Sequence, residues 1–187
     1  MFPLLKFTKE QVEDYYAKVS PQMVEGSLAK DRHDWFDLLN LLSPAAYPYM
    51  DAMRAKARQA RIKYYGKTVS VYAPLYIGNT CINSCRYCDF RTSHTGTIRR
   101  NLTMDEIRLE AEAIRSTGID NLLIVAGEDP RVNSIEHFCE VGVMLKKMFS
   151  NLSLEVAPQS EEGYRKMFEA GYESLTCFQE TYDQEQY

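Results

Sequence analysis

Ala73-Pro-Leu-Tyr-Ile-Gly-Asn-Thr-Cys81-Ile-Asn-Ser-Cys85-Arg-Tyr-Cys88-Asp-Phe90 is the stretch on which the reading of the chain turns. An apolar run from Thr68 to Ile77, rich in Val and Tyr, reads as a strand. It leads straight into three cysteines spaced C-x3-C-x2-C, hence on a loop. Three thiolates this close in sequence can close on one metal centre. Structural zinc sites usually take four protein ligands in paired Cys or Cys and His groups. An iron-sulfur cubane held by only three cysteines leaves one iron open to a second molecule. His94 is the only histidine near the cysteines. A non-catalytic zinc module on Cys81, Cys85, Cys88 and His94 therefore stands as the alternative.

Downstream of the cysteines, helix and strand patterns alternate. Thr103 and Glu106 have capping-box spacing and open a helix to Thr117, with Gly118 as its stop. Asn121 to Ala126 is apolar almost throughout, as in a strand covered on both faces. Ser134 caps a helix to Phe149, Leu152 to Val156 is a third strand, Ser160 opens a helix closed by Gly171, and Ser174 to Phe178 is a fourth strand. The order βαβαβαβ implies a parallel sheet with right-handed crossovers, either doubly wound or a (β/α) barrel. No G-x-G-x-x-G follows the first strand; cysteines stand there instead. The expected fold class is α/β: four parallel strands of a partial barrel behind an N-terminal helical segment.

That segment is residues 1–66, with the barrel part at 67–187. Thr8 and Gln11 have the form of a capping box, and Val12, Tyr15, Tyr16 and Val19 follow at helical spacing. Ser20-Pro21 reads as the end of that helix. A second apolar patch, Trp35 to Leu42, stops at Ser43-Pro44, and an amphipathic stretch from Ala45 to Tyr65 ends at Gly66. Arg54, Lys56, Arg58, Arg61 and Lys63 make one side of it basic, which reads as a solvated face.

Composition narrows the class. The 187 residues suffice for a real core, and a net charge of −4 gives no footprint for nucleic acid. Five cysteines, three clustered and two (Cys139, Cys177) within apolar stretches, argue against a disulfide framework and for a reducing compartment. No apolar run approaches the roughly 18 residues of a membrane span, and the N-terminus lacks a signal-peptide pattern. A cytoplasmic protein is expected, with no membrane partner.

In a parallel α/β fold, ligands bind beyond the C-terminal ends of the strands. Those ends carry Cys81 to Cys88, Gly127-Glu128-Asp129, Pro158-Gln159 and Gln179-Glu180. Unusual polar and metal-binding residues far apart in sequence thus converge on one rim. Arg99 and Arg100 could reach a cofactor carboxylate there, but read first as a solvated basic pair.

The C-x3-C-x-aromatic-C pattern, with Tyr87 as the aromatic, resembles that of the radical S-adenosylmethionine (SAM) enzymes. Ala73-Pro-Leu-Tyr76, Ala126-Gly-Glu-Asp-Pro130 and Gln179-Glu-Thr-Tyr182 resemble the aromatic amino-acid lyase branch. That branch includes the tyrosine lyases of thiazole biosynthesis (2-iminoacetate synthase) and of hydrogenase maturation. Leu42-Ser-Pro-Ala-Ala46 before a helix ending in Tyr-Gly is closer to the thiazole type. The resemblance runs from about Trp35 to Tyr187. It implies that Cys81, Cys85 and Cys88 hold a [4Fe-4S] cluster and that SAM chelates the fourth iron. It further implies Tyr87 beside the adenine, Gly127 and Glu128 at the methionine moiety, and Glu180 at the ribose hydroxyls. The implied reaction is radical cleavage of the Cα–Cβ bond of L-tyrosine to p-cresol and 2-iminoacetate. The implied partners are a flavodoxin-like or ferredoxin-like electron donor and thiazole synthase. Relatives place glycine where this chain has Asp89, and histidine where it has Asp183. The resemblance also implies further strands after the fourth, so the expectation is a truncated lyase whose fourth strand is an open edge prone to association.

Overall fold

Side-chain caps start the first helices. α1 (Lys9–Tyr16) opens on Thr8, whose hydroxyl accepts from the Gln11 N–H while the Gln11 side chain accepts from the Thr8 N–H. α2 (Pro21–Ala29) opens on Ser20, and α3 (Trp35–Leu42) on Asp34. Ser20-Pro21 thus begins a helix where the sequence reading ends one. Proline at the first helical position has no N–H to lose, and the Ser20 hydroxyl takes the Met23 N–H. A 3-10 turn, Pro44–Tyr49, precedes α4 (Met50–Tyr65), which stops at Gly66 with φ 66°. The computed structural model describes residues 8–178, 180 and 181, and the chain divides into two compact units between Thr68 and Val69.

The first unit closes over Val19, Val24 and Ala46. Beside them the buried Asp37 carboxylate accepts from the Ser27 hydroxyl and the Lys30 ammonium, each at 2.7 Å. The Asn40 amide donates to Ser27 and accepts from the Tyr15 hydroxyl. A polar knot completed in this way fixes how α1, α2 and α3 meet. Gly26, inside α2, has open space where a Cβ would go. Gly26→Ala should therefore stabilise this unit by about 0.5–1 kcal/mol. The urea midpoint of its helical signal would rise with no change of slope.

The second unit carries the sheet. Strands β1 (Tyr72–Gly78), β2 (Asn121–Ala126), β3 (Asn151–Glu155) and β4 (Ser174–Leu175) run parallel in sequence order. β1 starts later than the apolar run suggests because Tyr72 pairs with Asn121, the first residue of β2. Among the described residues those before Tyr72 pair with no strand, and the Asn121 amide donates to the Val71 carbonyl instead. The connecting helices are α5 (Met104–Ser116), α6 (Ile135–Leu145) and α7 (Glu161–Ala170). Thr103, Ser134 and Ser160 cap them, and Gly118 and Gly171 follow α5 and α7 with positive φ. α6 ends at Leu145, short of Phe149, and β4 ends at Leu175, short of Phe178.

The strand order separates the two α/β architectures. A doubly wound sheet reverses its order and covers both faces with helices. Here the order never reverses, and all three helices share one core. Leu75, Ile77, Leu122, Ile124, Leu152 and Leu154 meet Ile107 of α5, Phe138 and Val141 of α6, and Met167 of α7 in that core. Right-handed crossovers between strands laid side by side put every helix outside, as in a (β/α) barrel. The architecture is a four-stranded part of such a barrel. Alternate residues, including Tyr76, Val125 and Glu155, face the other side.

Arg100 closes the start of α5 by bonding Glu106 at 2.6 Å. The Thr103 backbone N–H, Arg100 and the Thr103 hydroxyl hold the Glu106 carboxyl down at about 2. A carboxylate with its folded-state value depressed adds stability at neutral pH that fades as acid titrates it. Acid titration of the wild type should show that loss between about pH 4.5 and 2, and Glu106→Gln should flatten it.

Candidate metal centre

The cysteine loop is a closed loop with a narrow neck. β1 shifts register between Tyr76 and Gly78, leaves the sheet, and the chain returns antiparallel to its own end. Asn79 N–H donates to the Arg100 carbonyl at 3.0 Å and Leu102 N–H to the Ile77 carbonyl at 2.8 Å. The Asn79 side chain adds two bonds across the neck, to the Ile98 carbonyl and from the Arg100 N–H. Residues 80–99 therefore form a compact excursion whose ends are tied, positioned at the C-terminal end of β1.

Cys81, Cys85 and Cys88 are free thiols and half-buried, with exposed residues between them. Among the described residues no three His, Cys, Asp or Glu side chains stand together as a metal-binding group. One turn joins Cys85 to Cys88, and the loop does not draw the three thiols to a single point. The donor chemistry fits an iron-sulfur cluster: three thiols, and a Phe90 N–H aimed at Cys88 Sγ at 3.4 Å. An amide that donates to sulfur orients it, as hydrogen bonds to metal ligands do. His94 turns its Nδ1 into the loop, which leaves Nε2 as the nitrogen a metal would take. Its Nδ1 lies 3.1 Å from the Thr97 hydroxyl and 3.3 Å from the Asp89 carboxylate. Asp89 sits in ordinary backbone, since no described non-glycine residue has positive φ, and its carboxylate faces Arg91 and His94. Its exchange for glycine thus introduces no backbone strain.

The turn after β2 locks onto this loop. A Cβ on Gly127 would overlap the Thr80 carbonyl and stand 3.1 Å from the Cys81 Cβ. Only a glycine lets the two backbones meet here. Gly127 N–H donates to the Gly78 carbonyl, and the buried Asn133 amide takes the Gly127 carbonyl at 2.8 Å. The Glu128 carbonyl accepts the Ile82 N–H at 2.8 Å and its carboxylate accepts the Asn83 amide. Gly127 and Glu128 thus grip the segment between Cys81 and Cys85. Asp129 is buried in a two-pronged pair with Arg131, whose guanidinium holds the carboxyl below its ordinary range.

A cavity of about 370 Å³ opens beside that turn, at the C-terminal ends of β2 and β3. Glu128, Asn133, Ser134, Val156 and Gln159 line it. Glu155 ends β3 on the side away from the helices; burial first, and the Glu180 charge second, raise its carboxyl. Glu180 is exposed beyond β4, and Tyr87 is exposed within the cysteine loop. Gln179, Tyr182 and Asp183 lie outside the described residues.

One expectation at this site changes, while Arg100 stays exposed. Arg99 is not a solvated residue: Nη1 donates to the carbonyls of Asn79 (2.7 Å) and Phe90 (2.8 Å), and Nη2 to those of Arg91 (2.7 Å) and His94 (3.4 Å). All of its reach is spent inside the loop, and Arg100 is engaged with Glu106. Glu155, Asn133 and Asn79 are additions that the motifs do not signal.

Residues 75–187 match the radical SAM superfamily. The chain belongs to that superfamily. Its members use a [4Fe-4S] cluster and SAM. The chain is 38% identical over 148 residues to 2-iminoacetate synthase of Salmonella typhimurium, covering 78% of this chain and 38% of that protein. Against the Escherichia coli enzyme of the same name it is 36% identical, covering 81% and 40%. The crystal structure of HydG, a maturase of the [FeFe]-hydrogenase, superposes with a TM-score of 0.78 at 26% identity, covering 94% of this chain and 41% of that one. This radical SAM chain therefore spans about two fifths of the length of these relatives. Among the described residues no helix is long and apolar enough to cross a membrane.

Proposed function

We propose that this chain carries the cluster- and cofactor-binding part of a radical SAM lyase that cleaves the Cα–Cβ bond of L-tyrosine, giving 2-iminoacetate and p-cresol. The observation that carries the reading is the tied three-cysteine loop gripped by Gly127 and Glu128, in a chain 38% identical to a 2-iminoacetate synthase. When bound, the cluster and SAM supply a 5'-deoxyadenosyl radical that takes a hydrogen atom from the substrate. The residues of this chain hold and orient. Cys81, Cys85 and Cys88 ligate three irons. Glu128, with one oxygen already on Asn83, offers the other to the ammonium of the methionine moiety. Gly127 keeps the backbone low enough for that approach, Tyr87 flanks the adenine, and Glu180 takes the ribose hydroxyls.

The pathway we favour is thiamine thiazole formation in the cytoplasm. A flavodoxin-like or ferredoxin-like protein would supply the electron, and thiazole synthase would receive the product. The structural likeness to a hydrogenase maturase supports the second reading, the tyrosine lyase of that maturation; the higher identity to 2-iminoacetate synthases favours the first.

The test is anaerobic reconstitution with iron and sulfide, reduction, and electron paramagnetic resonance with and without SAM. A reduced-cluster signal that shifts on adding SAM supports an open iron, and p-cresol release from tyrosine is then assayed. Zinc uptake without cluster formation would sink the reading.

A further inference from the structure

The cysteine loop is organised from within by a single cation. Arg99 lies half-buried at the end of the excursion, and its guanidinium donates to four main-chain carbonyls. One of them, Asn79, precedes Cys81 by two positions. Two more, Phe90 and Arg91, follow Cys88 by two and three positions, and the fourth, His94, lies between the two turns before the chain heads back. One planar group therefore joins the strand entering the loop, the segment leaving the third cysteine, and the returning turn.

The chemistry singles out arginine. Its flat fork presents five donors in fixed directions, whereas a lysine ammonium is a point donor that cannot span carbonyls from separate turns. Arg99 forms no ion pair among the described residues, in contrast to its neighbour Arg100, which is matched by Glu106. Its charge meets carbonyl dipoles within the loop that bears the three cysteines.

We propose that Arg99 is the positioning residue of the cluster loop: by gripping the carbonyls of Asn79, Phe90, Arg91 and His94 it fixes the backbone on either side of Cys81 and Cys88, the frame from which the thiols close on a cluster. This rests on reading the three cysteines as cluster ligands. Arg99 touches neither substrate nor cofactor; it acts through the loop.

The experiment compares wild type, Arg99→Lys, Arg99→Ala and, as control, Arg100→Met after anaerobic reconstitution. It reads iron per chain, the rate of iron loss to a ferrous chelator, the resonance spectrum of the reduced cluster, and the melting temperature of the metal-free chain. Arg99→Lys should melt close to wild type, yet lose iron about 10- to 100-fold faster, as outer contacts of metal ligands do when removed, with an altered spectrum. Arg99→Ala should load poorly and recover part of its iron when methylguanidinium is present during reconstitution. Arg100→Met should match wild type in loading. Equal iron retention and an identical spectrum in Arg99→Lys would overturn the assignment. So would a collapse of its metal-free melting, since Arg99 would then be a general structural strut. A wild type that forms no cluster would remove the cysteine reading itself, and this inference with it.

Discussion

Gly127→Ala lowers both the thermal stability and the cluster content of this chain. The added methyl would meet a backbone oxygen, that of Thr80, and not the yielding end of a side chain. Three bonds hold the spot rigid: Gly127 N–H to Gly78, Asn133 to the Gly127 carbonyl, and Ile82 N–H to the Glu128 carbonyl. Neither backbone can move without breaking one of them. Overpacking of this kind costs about 1–3 kcal/mol, and more where the surroundings are fixed. In a unit of this size each kcal/mol lowers the melting temperature by about 3–6 °C. The displaced segment is the one that begins with Cys81, so iron retained after reconstitution should fall in parallel. A variant with wild-type melting and iron content would show that the turn after β2 does not fix the loop.

Phe138→Ala should cost the most stability of any single truncation considered. Phe138 is 2% exposed and stands where α6 meets the sheet, among Leu122, Ile124 and Leu154. Its carbonyl accepts the buried Tyr172 hydroxyl at 3.0 Å, so a shift of the backbone would also leave a buried donor without its acceptor. Removing a buried phenyl ring costs about 3–5 kcal/mol, against total stabilities of roughly 5–15 kcal/mol. The same ring walls the cavity beside Glu128 and Gln159, which would widen. Urea unfolding followed by circular dichroism should show the midpoint falling by about a fifth or more, the smallest ratio of those two ranges. Phe138→Leu, which refills most of the space, should recover most of it. An unchanged midpoint would mean that the helices do not share the core described.

Local features of this fold are legible in the sequence because their causes are local. Thr8, Thr103, Ser134 and Ser160 cap helices as their spacing implies, and Gly66, Gly118 and Gly171 take positive φ just after helices. Ser20-Pro21 is ambiguous locally, since the same pair can end one helix or begin the next; only the Met23 N–H on Ser20 decides. Strand limits depend on partners far away: β1 begins at Tyr72 because β2 begins at Asn121. The site divides in the same way. Cysteine spacing announces a metal, and Gly-Glu after an apolar strand announces a rim. Arg99, Asn79 and Asn133 bind main-chain carbonyls, which every residue supplies, so no pattern of side chains could reveal them.

The unbroken strand order has a consequence for how the molecule is made. Each strand pairs with the one synthesised just before it, so a growing chain can add βα units to a finished edge as they leave the ribosome. Arg99 and all four of its carbonyl partners lie within residues 79–99, so the loop can assume its shape before β2 exists. The clasp by Gly127 and Glu128 can come only once β2 has been laid down. The loop can thus be built in two stages during translation, first shaped by its own guanidinium and then latched by the next turn of the barrel.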